Sequence, residues 1–545
     1  MIRCQKIPVS IIFLFSVLTY STGSSQQIIR ILPLGNSITE GYTDGTLTNA
    51  QTRGYRYGLK YILQHTGYNV DFVGSQSAGS AYFSDCQHAG IGGSRDQYIV
   101  RLLTDGYDER NGVQILVPPR PYLDEYNPDI ILLEIGTNDI THEGSAAITD
   151  QKVSAILDLV DQYEIRAGKK VVVFLALIIN RIKPWTPGSP AEITSSFNNA
   201  IKSMAQSRIA AGDNIVIVDM EHDAGFLYTS EDMSNDGEGL HPNDLGYSKM
   251  ANLWYSSIFS NYNTAPVISP IPDQTISEGN NFTSLLLDNF VFDIQDPDQD
   301  ISWTAYQSGT PMLNISINSD RQAIVIPEDP EWSGSQTVIF TATDKGRNGK
   351  DLKSVSDTVV YVITPVNDLP VIISDPLLFS HVGELYSYTL LANDVDNPVL
   401  TLSAVQIPSW LSFTAETGEL SGIPAQSDIG QDLVVLQVSD GLSNTKQSFI
   451  ITTIGESDIN KFESAGIRIY PVPASDVLHV EFVRLSGKVS LEILNPISTV
   501  MRKLEIPADQ KYCQIELKGI EPGNYFLHIK NNTISYICRF IILKP

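Results

Sequence analysis

The sequence predicts a multidomain protein in which an N-terminal α/β domain with a parallel sheet precedes three all-β sandwich domains. At 545 residues, the chain is too long for a single domain of roughly 150 residues. Between residues 27 and 262, apolar runs alternate with amphipathic stretches, as in a parallel sheet covered by helices on both faces. After Asn263 the helical periodicity ends, and short runs rich in Val, Ile and Thr lie between Asp, Gly and Pro turns.

The N-terminus predicts a secretory signal over residues 1–25. Arg3 and Lys6 precede an apolar core at residues 7–20, and small residues follow it. No later run reaches about 18 apolar residues, so no transmembrane segment is predicted.

The α/β domain is predicted over residues 27–262. Its strand candidates are "IIRILPL", "NVDFVGS", "DIILLEIG", "KVVVFLALI" and "NIVIVDM", and its helix candidates lie near 54–66, 149–167, 192–211 and 243–258. Active sites of such sheets form at the carboxyl ends of the strands. Polar residues that directly follow the strands are therefore the first candidates for chemistry.

The β-rich remainder divides into predicted domains at 264–368, 369–455 and 456–545. Each of the first two carries an Asp-rich turn before a strand, "DIQDPDQD" and "DVDNP", and a later Asp/Gly turn, "TATDKG" and "LQVSDG". The third opens with "IRIYPVPASDVLHVEF".

The charge balance limits the partners. With 36 Lys and Arg against 62 Asp and Glu, the formal charge is −26. Nucleic acids and anionic membranes need basic patches, so neither is expected, and a neutral substrate is favoured over a polyanionic one. Beyond the signal, Cys86, Cys513 and Cys538 allow one intramolecular pair at most, and the last two share a predicted domain and could bridge.

Four segments offer parts of a nucleophilic site. Ser37 follows an apolar run in "LPLGNSITEGY", and a serine nucleophile needs a base and oxyanion donors. "HAGIGGSRDQ" supplies the backbone N–H of Gly93, "LLEIGTNDI" the side-chain amide of Asn138, and "DGEGLHPNDLGY" the imidazole of His241. Singly, these residues are explained as a helix cap, a turn glycine, a turn cap and a solvated histidine. Their joint, ordered occurrence at predicted loops favours a catalytic site.

Together the four segments resemble the SGNH, or GDSL-type, hydrolases, whose blocks appear here as "GNSIT", "GIGGS", "GTND" and "GLHPND". The resemblance covers residues 27–262. It implies a three-layer, flavodoxin-like α/β hydrolase that cleaves esters through an acyl-enzyme and needs no cofactor or catalytic metal. Ser37 would be the nucleophile and His241 the general base. The N–H groups of Ser37 and Gly93 and the side chain of Asn138 would form the oxyanion hole.

The acid of the triad is left open between two residues. The family's usual aspartate lies three positions before the histidine, where this chain has Glu238. A glutamate can still accept a hydrogen bond from the imidazole, so Glu238 is favoured. Asp236 would serve instead if the glycines of "DGEGLH" bulge the loop.

Within the family, "ILPLGNSITEGY", "RGYRYGLKYIL" and "NVDFVGS" resemble secreted carbohydrate esterases that deacetylate xylan. This likeness implies an acetylated polysaccharide as substrate. One alternative is a lipolytic or lysophospholipase-type esterase, with "FLALIIN" as an acyl-binding wall rather than a buried strand. The other is a surface adhesion protein with a decayed hydrolase domain.

The first two β domains resemble cadherin-like repeats ("VNDLPVI") and immunoglobulin-like domains ("IPSWLSFTAETGELSGIPA"). Acidic side chains in the turns supply oxygen atoms of the kind that Ca²⁺ prefers. Calcium binding is therefore one expectation, and acidic turns that merely end strands are the other. The candidate ligands are Glu278, Asp296, Asp298, Asp300, Asp344 and Asp368.

The last domain resembles sorting domains of the type IX secretion system, through "YPVPASDVLHVEF" and "GNYFLHI". Val472 stands where that family usually has Asn. The likeness implies recognition by the secretion machinery and a secreted or cell-surface location, with a third adhesion module as the alternative.

Overall fold

A computed structural model describes residues 27–144, 151–183, 190–347, 349–455, 462, 464–483, 487–508 and 510–543. The predicted signal at 1–25 lies outside them. The chain forms two compact units that divide after Ile363, so the finer division into four domains stays a prediction.

The first unit begins with an α/β fold. In chain order its elements are β1 (Ile29–Gly35), α1 (Ser37–Glu40), α2 (Gly54–His65), β2 (Val70–Phe72), β3 (Ala89–Gly90), α3 (Asp96–Asp105), β4 (Tyr107–Asp108), β5 (Val113–Gln114), α4 (Tyr122–Tyr126), β6 (Ile130–Glu134), α5 (Thr137–Glu143), α6 (Gln151–Ala167), β7 (Val172–Leu177), α7 (Pro190–Ala211), β8 (Ile215–Asp219) and α8 (Asp244–Asn261).

The main sheet is parallel, with strand order β2-β1-β6-β7-β8, and β3 also pairs with β1 near the end of that strand. All five residues of β6 are buried because β1 and β7 flank it and helices cover both faces. Helix α2 turns Tyr55, Leu59 and Leu63 to the core, at the spacing expected of one helical face. The predicted fold class is confirmed.

The four predicted long helices correspond to α2, α6, α7 and α8, whereas α1, α3, α4 and α5 were not predicted. Helices α1, α4 and α5 have four to seven residues and span too few turns to show a clear apolar period, whereas α3 buries Ile99, Leu102 and Leu103 on one face. Two of them matter for the site, because Ser37 begins α1 and Asn138 lies in the first turn of α5.

The first unit continues as β structure with a core of its own. Its strands are β9 (Val267–Ile268), β10 (Gln274–Ser277), β11 (Leu285–Leu286), β12 (Val291–Phe292), β13 (Ser302–Gln307), β14 (Leu313–Ile317), β15 (Gln322–Pro327), β16 (Gly334–Thr343) and β17 (Ser354–Thr364). Sheets β10-β17-β16-β13 and β11-β15-β14 both contribute to one apolar core, for example through Phe340 and Val325. The α/β fold meets this segment through Gln295, which donates to Tyr68 Oη at 2.7 Å.

The described residues of the second unit form mainly β-strands. Its strands are β18 (Val371–Ile372), β19 (Phe379–His381), β20 (Tyr386–Thr389), β21 (Ala392–Asn393), β22 (Thr401–Gln406), β23 (Ser412–Thr414), β24 (Glu419–Gly422), β25 (Gly430–Ser439), β26 (Asn444–Ile454), β27 (Ile467–Tyr470), β28 (Val477–Phe482), β29 (Val489–Leu494), β30 (Val500–Ile506), β31 (Tyr512–Glu516), β32 (Gly523–Lys530) and β33 (Ser535–Ile542).

These strands build two cores. Sheets β19-β26-β25-β22 and β20-β24-β23 enclose the first, and sheets β27-β28-β31 and β30-β29-β32-β33 enclose the second. Cys513 lies on β31 and Cys538 on β33, which belong to different sheets, and no disulfide joins these two buried side chains. Burial raises the pKa of the Cys513 thiol to about 11.

Calcium binding by the acidic turns stays a prediction. Among the residues that the structure describes, no group of three or more His, Cys, Asp or Glu side chains is placed to hold a metal ion. Two cationic side chains lie close to the buried carboxylate of Asp296. Arg347 Nη2 is 3.0 Å from it and Lys345 Nζ is 3.6 Å from it. Asp344 instead accepts from Asn263 and from backbone N–H groups.

Because Arg347 and Lys345 already neutralise Asp296, we expect Ca²⁺ to leave the melting temperature of the full chain unchanged relative to EDTA. Arg347→Gln should lower the free energy of unfolding by about 3 kcal/mol, since it leaves a buried carboxylate without its closest cation. Calorimetry of both proteins, with and without millimolar Ca²⁺, measures these effects. A calcium-dependent rise in the unmodified chain would contradict this interpretation.

Candidate active site

Ser37 stands on a tight turn at the carboxyl end of β1. Gly35 ends the strand, and a Cβ there would lie 2.1 Å from the carbonyl oxygen of Glu134, so only glycine permits this approach of β1 to β6. The Asn36 side chain caps α1 by accepting from the N–H of Ile38 at 2.8 Å. The predicted N-cap role of Ser37 is therefore filled by Asn36, and Ser37 is the first helical residue.

The loop before α8 brings His241 to this serine. Ser37 Oγ lies 2.9 Å from His241 Nε2, a hydrogen-bonding distance. The ring of Tyr42 packs against the imidazole with centroids 4.7 Å apart. Two residues 204 positions apart in the sequence thus meet as a nucleophile and a base would.

Asp236, rather than Glu238, contacts the histidine. Asp236 Oδ2 lies 2.7 Å from His241 Nδ1, whereas Glu238 turns away and pairs with Arg181 Nη2 at 2.5 Å. Gly237 and Gly239 adopt positive φ angles of 87° and 64°, which fold the loop back over Asp236. The structure therefore differs from the preference for Glu238 based on family spacing, because the loop is bulged.

The surroundings of Asp236 and His241 lower the pKa values of both side chains. Burial raises the pKa of Asp236, but hydrogen bonds from His241 and from the backbone N–H groups of residues 238–241 outweigh it, so the net shift is downward. Burial lowers the pKa of His241, and Asp236 only partly opposes that effect. At neutral pH the pair is an anionic carboxylate beside a neutral imidazole, which can accept a proton.

The two other candidate donors lie on a neighbouring loop and at the start of α5. Gly92 passes Ser37 so closely that a Cβ on it would lie 4.0 Å from that of the serine, and Gly93 follows with a φ of 78°. Asn138 Nδ2 donates to the carbonyl of Ser94 at 2.9 Å. Because a side-chain amide has two hydrogens, the second remains for a reacting oxygen.

One buried guanidinium ties the nucleophile turn to the segment before the glycine loop. Arg56, on α2, is fully buried and donates to the carbonyl oxygens of Thr39, Glu40, Thr52, Ala78 and Cys86 at 2.8–3.2 Å. Burial lowers its pKa to about 10, so the group stays charged at neutral pH. Sequence reasoning placed "RGYRYGLKYIL" on a helix but gave no sign of this role, since carbonyl partners leave no side-chain pattern.

Buried carboxyl groups lie below the serine turn. Burial raises the pKa of Glu134 to about 8, and the neighbouring Asn36 and Thr137 side chains only partly oppose that shift. Burial and the neighbouring Asp96 also raise the pKa of Asp139, next to Asn138. These groups were not singled out from the sequence, because their unusual environment comes from the fold.

The α/β region matches a known family model. Residues 31–254 match the model described as GDSL-like Lipase/Acylhydrolase. This region is a GDSL domain.

Individual relatives match part of this chain. A multidomain esterase from Ruminococcus flavefaciens is 32% identical over 245 residues, which are 43% of this chain and 29% of that protein. A protein named "Putative endoglucanase X" from Acetivibrio thermocellus is 27% identical over 134 residues, 25% of this chain and 51% of that protein. A solved family 3 carbohydrate esterase from Clostridium thermocellum is 28% identical, with 43% of this chain and 96% of that chain covered and a TM-score of 0.33.

Two further models match beyond the GDSL domain. Residues 369–454 match "Putative Ig domain", and residues 468–543 match Secretion system C-terminal sorting domain. The sorting domain indicates a secreted or cell-surface protein. Within the described part of the chain, no helix combines the length and apolar character needed to cross a membrane.

Proposed function

We propose that residues 27–262 hydrolyse carboxylic esters through an acyl-enzyme on Ser37. The observation that carries this proposal is the continuous hydrogen-bonded chain from Ser37 Oγ to His241 Nε2, and from His241 Nδ1 to Asp236. This order of nucleophile, base and orienting acid activates a hydroxyl that is otherwise a weak nucleophile.

In the acylation step, Ser37 Oγ attacks the ester carbonyl while His241 takes its proton. The carbonyl oxygen becomes an anion, which the N–H groups of Ser37 and Gly93 and the amide of Asn138 stabilise. The tetrahedral intermediate then breaks its bond to the alcohol oxygen, and the imidazolium returns the proton to that leaving group. Asp236 stabilises the imidazolium and fixes the ring orientation, which is the role of a positioning acid.

Deacylation repeats these steps with water. His241 removes a proton from water, the resulting hydroxide attacks the acyl carbonyl, and collapse of the second intermediate releases the acid and restores Ser37. Every proton moves between Ser37, His241, water and the substrate. The proposed mechanism uses only side-chain and backbone groups of this chain.

For the substrate, we propose O-acetyl groups on a polysaccharide such as xylan. Support comes from the resemblance of the strand and helix segments to secreted carbohydrate esterases. It also comes from the matched relatives, one named as a multidomain esterase and one as an endoglucanase. The sorting domain fits an enzyme that meets polymers outside the cell.

The two alternatives have less support. The "FLALIIN" run lies in β7 and its buried continuation, where Ile178 and Ile179 pack in the core, so it offers no acyl-binding wall. A decayed hydrolase would have no reason to retain both hydrogen bonds of the Ser37–His241–Asp236 chain.

Ser37→Ala should lower kcat for 4-nitrophenyl acetate by about 10⁴-fold or more, because it removes the nucleophile and leaves only the oxyanion donors. Ser234→Ala is the matched control, since Ser234 lies in the loop that leads to His241 and donates to the Thr43 carbonyl. Circular dichroism checks that both variants fold. Near-normal turnover by folded Ser37→Ala would exclude the proposed mechanism.

Asp236→Asn should lower kcat by about 10³–10⁴-fold, whereas Glu238→Gln should change it little, because only Asp236 contacts the imidazole. The acidic limb of the kcat/KM profile should lie below pH 6.5, since burial lowers the pKa of His241. Asp236 raises that pKa, so its loss should move the limb to still lower pH. Rates measured from pH 4 to 9 test both points, and a larger loss in Glu238→Gln would assign the acid to Glu238.

We also propose that the C-terminal domain is read by the type IX secretion machinery. Removal of residues 364–545, which separates the chain between its compact units, should leave esterase activity inside the cell and abolish export. Residues 456–545 fused to a periplasmic reporter should export it in a host with that system. Unchanged export of the truncated enzyme would instead indicate an adhesion or structural module.

A further inference from the structure

An exposed arginine lies at the rim of the candidate active site. Arg110 is at the tip of the β4–β5 hairpin, and its guanidinium leans over the backbone of Gly93. Its Nε lies 2.6 Å, and its Nη2 3.2 Å, from the position that a Cβ on Gly93 would occupy. The positive φ of Gly93 favours glycine there, and the missing side chain leaves the space that the Arg110 guanidinium occupies.

Hydrogen bonds within the hairpin order the backbone around Arg110. Asp108 accepts from the backbone N–H of Asn111 at 3.0 Å and from its side-chain amide at 2.8 Å, which closes the turn around Arg110. The base of the hairpin packs against α3, where Arg101 lies over the Tyr107 ring. These contacts order the backbone from which the Arg110 side chain extends.

The acidic residues near Arg110 form ion pairs with a different arginine, Arg101. Arg101 lies 3.0 Å from Asp105 and 3.9 Å from Glu109, the residue directly before Arg110. Among the residues that the structure describes, no carboxylate lies within 4.0 Å of the Arg110 guanidinium. In a chain with 62 acidic and 36 basic residues, an exposed arginine without such a partner at this site is available to an outside anion.

We propose that Arg110 binds a carboxylate of the substrate, so that the preferred ester lies on a saccharide that also carries an acidic group. The inference rests on the proposed esterase function and refines its substrate class. A guanidinium presents a planar fork of donors that matches a carboxylate, and Arg is the residue most suited to this recognition. Because Arg110 lies over Gly93, the bound carboxylate would lie close to the ester whose carbonyl meets the oxyanion donors.

A direct role of Arg110 in stabilising the oxyanion is less consistent with the solvent exposure of its guanidinium. A charge that acts on an anion through solvent is screened, and at about 4 Å it is worth only about a fivefold change in rate. A bidentate, charge-assisted hydrogen bond between a guanidinium and a carboxylate is worth about tenfold or more in affinity. The excess negative charge of the whole chain does not oppose this binding strongly, since exposed charges farther than about 10 Å are screened at ordinary salt.

The experiment compares acetate release from acetylated methyl glucuronoside with release from acetylated methyl glucoside, which lacks the carboxylate. The unmodified full chain should show the higher kcat/KM for the glucuronoside, and salt should reduce that preference. Arg110→Gln should lower the ratio of the two kcat/KM values by about tenfold or more. Arg110→Glu should lower it further by repulsion. Arg101→Gln is the matched control and should leave the ratio unchanged, because Arg101 is engaged by Asp105 and Glu109.

Equal losses on both substrates in Arg110→Gln would assign Arg110 to the oxyanion and overturn the inference. So would an unchanged ratio, or an unmodified enzyme that prefers the glucoside. Turnover of 4-nitrophenyl acetate separates this failure from failure of the esterase function. If the unmodified chain cleaves that ester without any carboxylate preference, only the inference about Arg110 falls.

Discussion

The buried guanidinium of Arg56 is the contact on which the geometry of the site depends. Its five carbonyl partners come from the end of α1, the start of α2 and the segment that leads to β3. Burying a guanidinium costs free energy unless each of its N–H groups has an acceptor. Moving any of these carbonyl oxygens away from Arg56 would therefore be unfavourable. The serine turn and the strand before the glycine loop are thereby held to one point.

The site contains one carboxyl group that is ionised at neutral pH and one whose pKa favours the neutral form. Asp236 is held as an anion by backbone N–H groups, and it supports the positive charge that forms on His241. Glu134 is buried where fewer donors reach it, and its raised pKa favours the neutral form at pH 7. A neutral group below Ser37 does not repel the negative charge that develops on the attacked carbonyl. Environment thus assigns opposite states to chemically similar side chains.

The sequence was informative where one segment determines its own structure. Buried strands showed as apolar runs, long helices as amphipathic periods, and the four motifs as strand ends followed by polar residues. It was less informative where distant or bulged segments decide the contact. The choice between Glu238 and Asp236 depended on two positive φ angles, which spacing does not encode. Arg56 donates to backbone carbonyl oxygens, and Arg110 lies over the backbone of Gly93. Neither arginine has a partner side chain that would indicate its role in the sequence.

The thiols of the second unit have a consequence for the order of events during maturation. Cys513 and Cys538 are buried on different sheets and are not bridged, although secreted proteins pass through oxidising compartments. A nascent chain exposes these sulfurs, whereas the packed domain shields them and disfavours the reactive thiolate of Cys513. Packing of the core before oxidation would therefore keep both sulfurs out of thiol–disulfide exchange. Apolar packing and strand pairing, rather than a Cys513–Cys538 bridge, hold the described residues of this domain together.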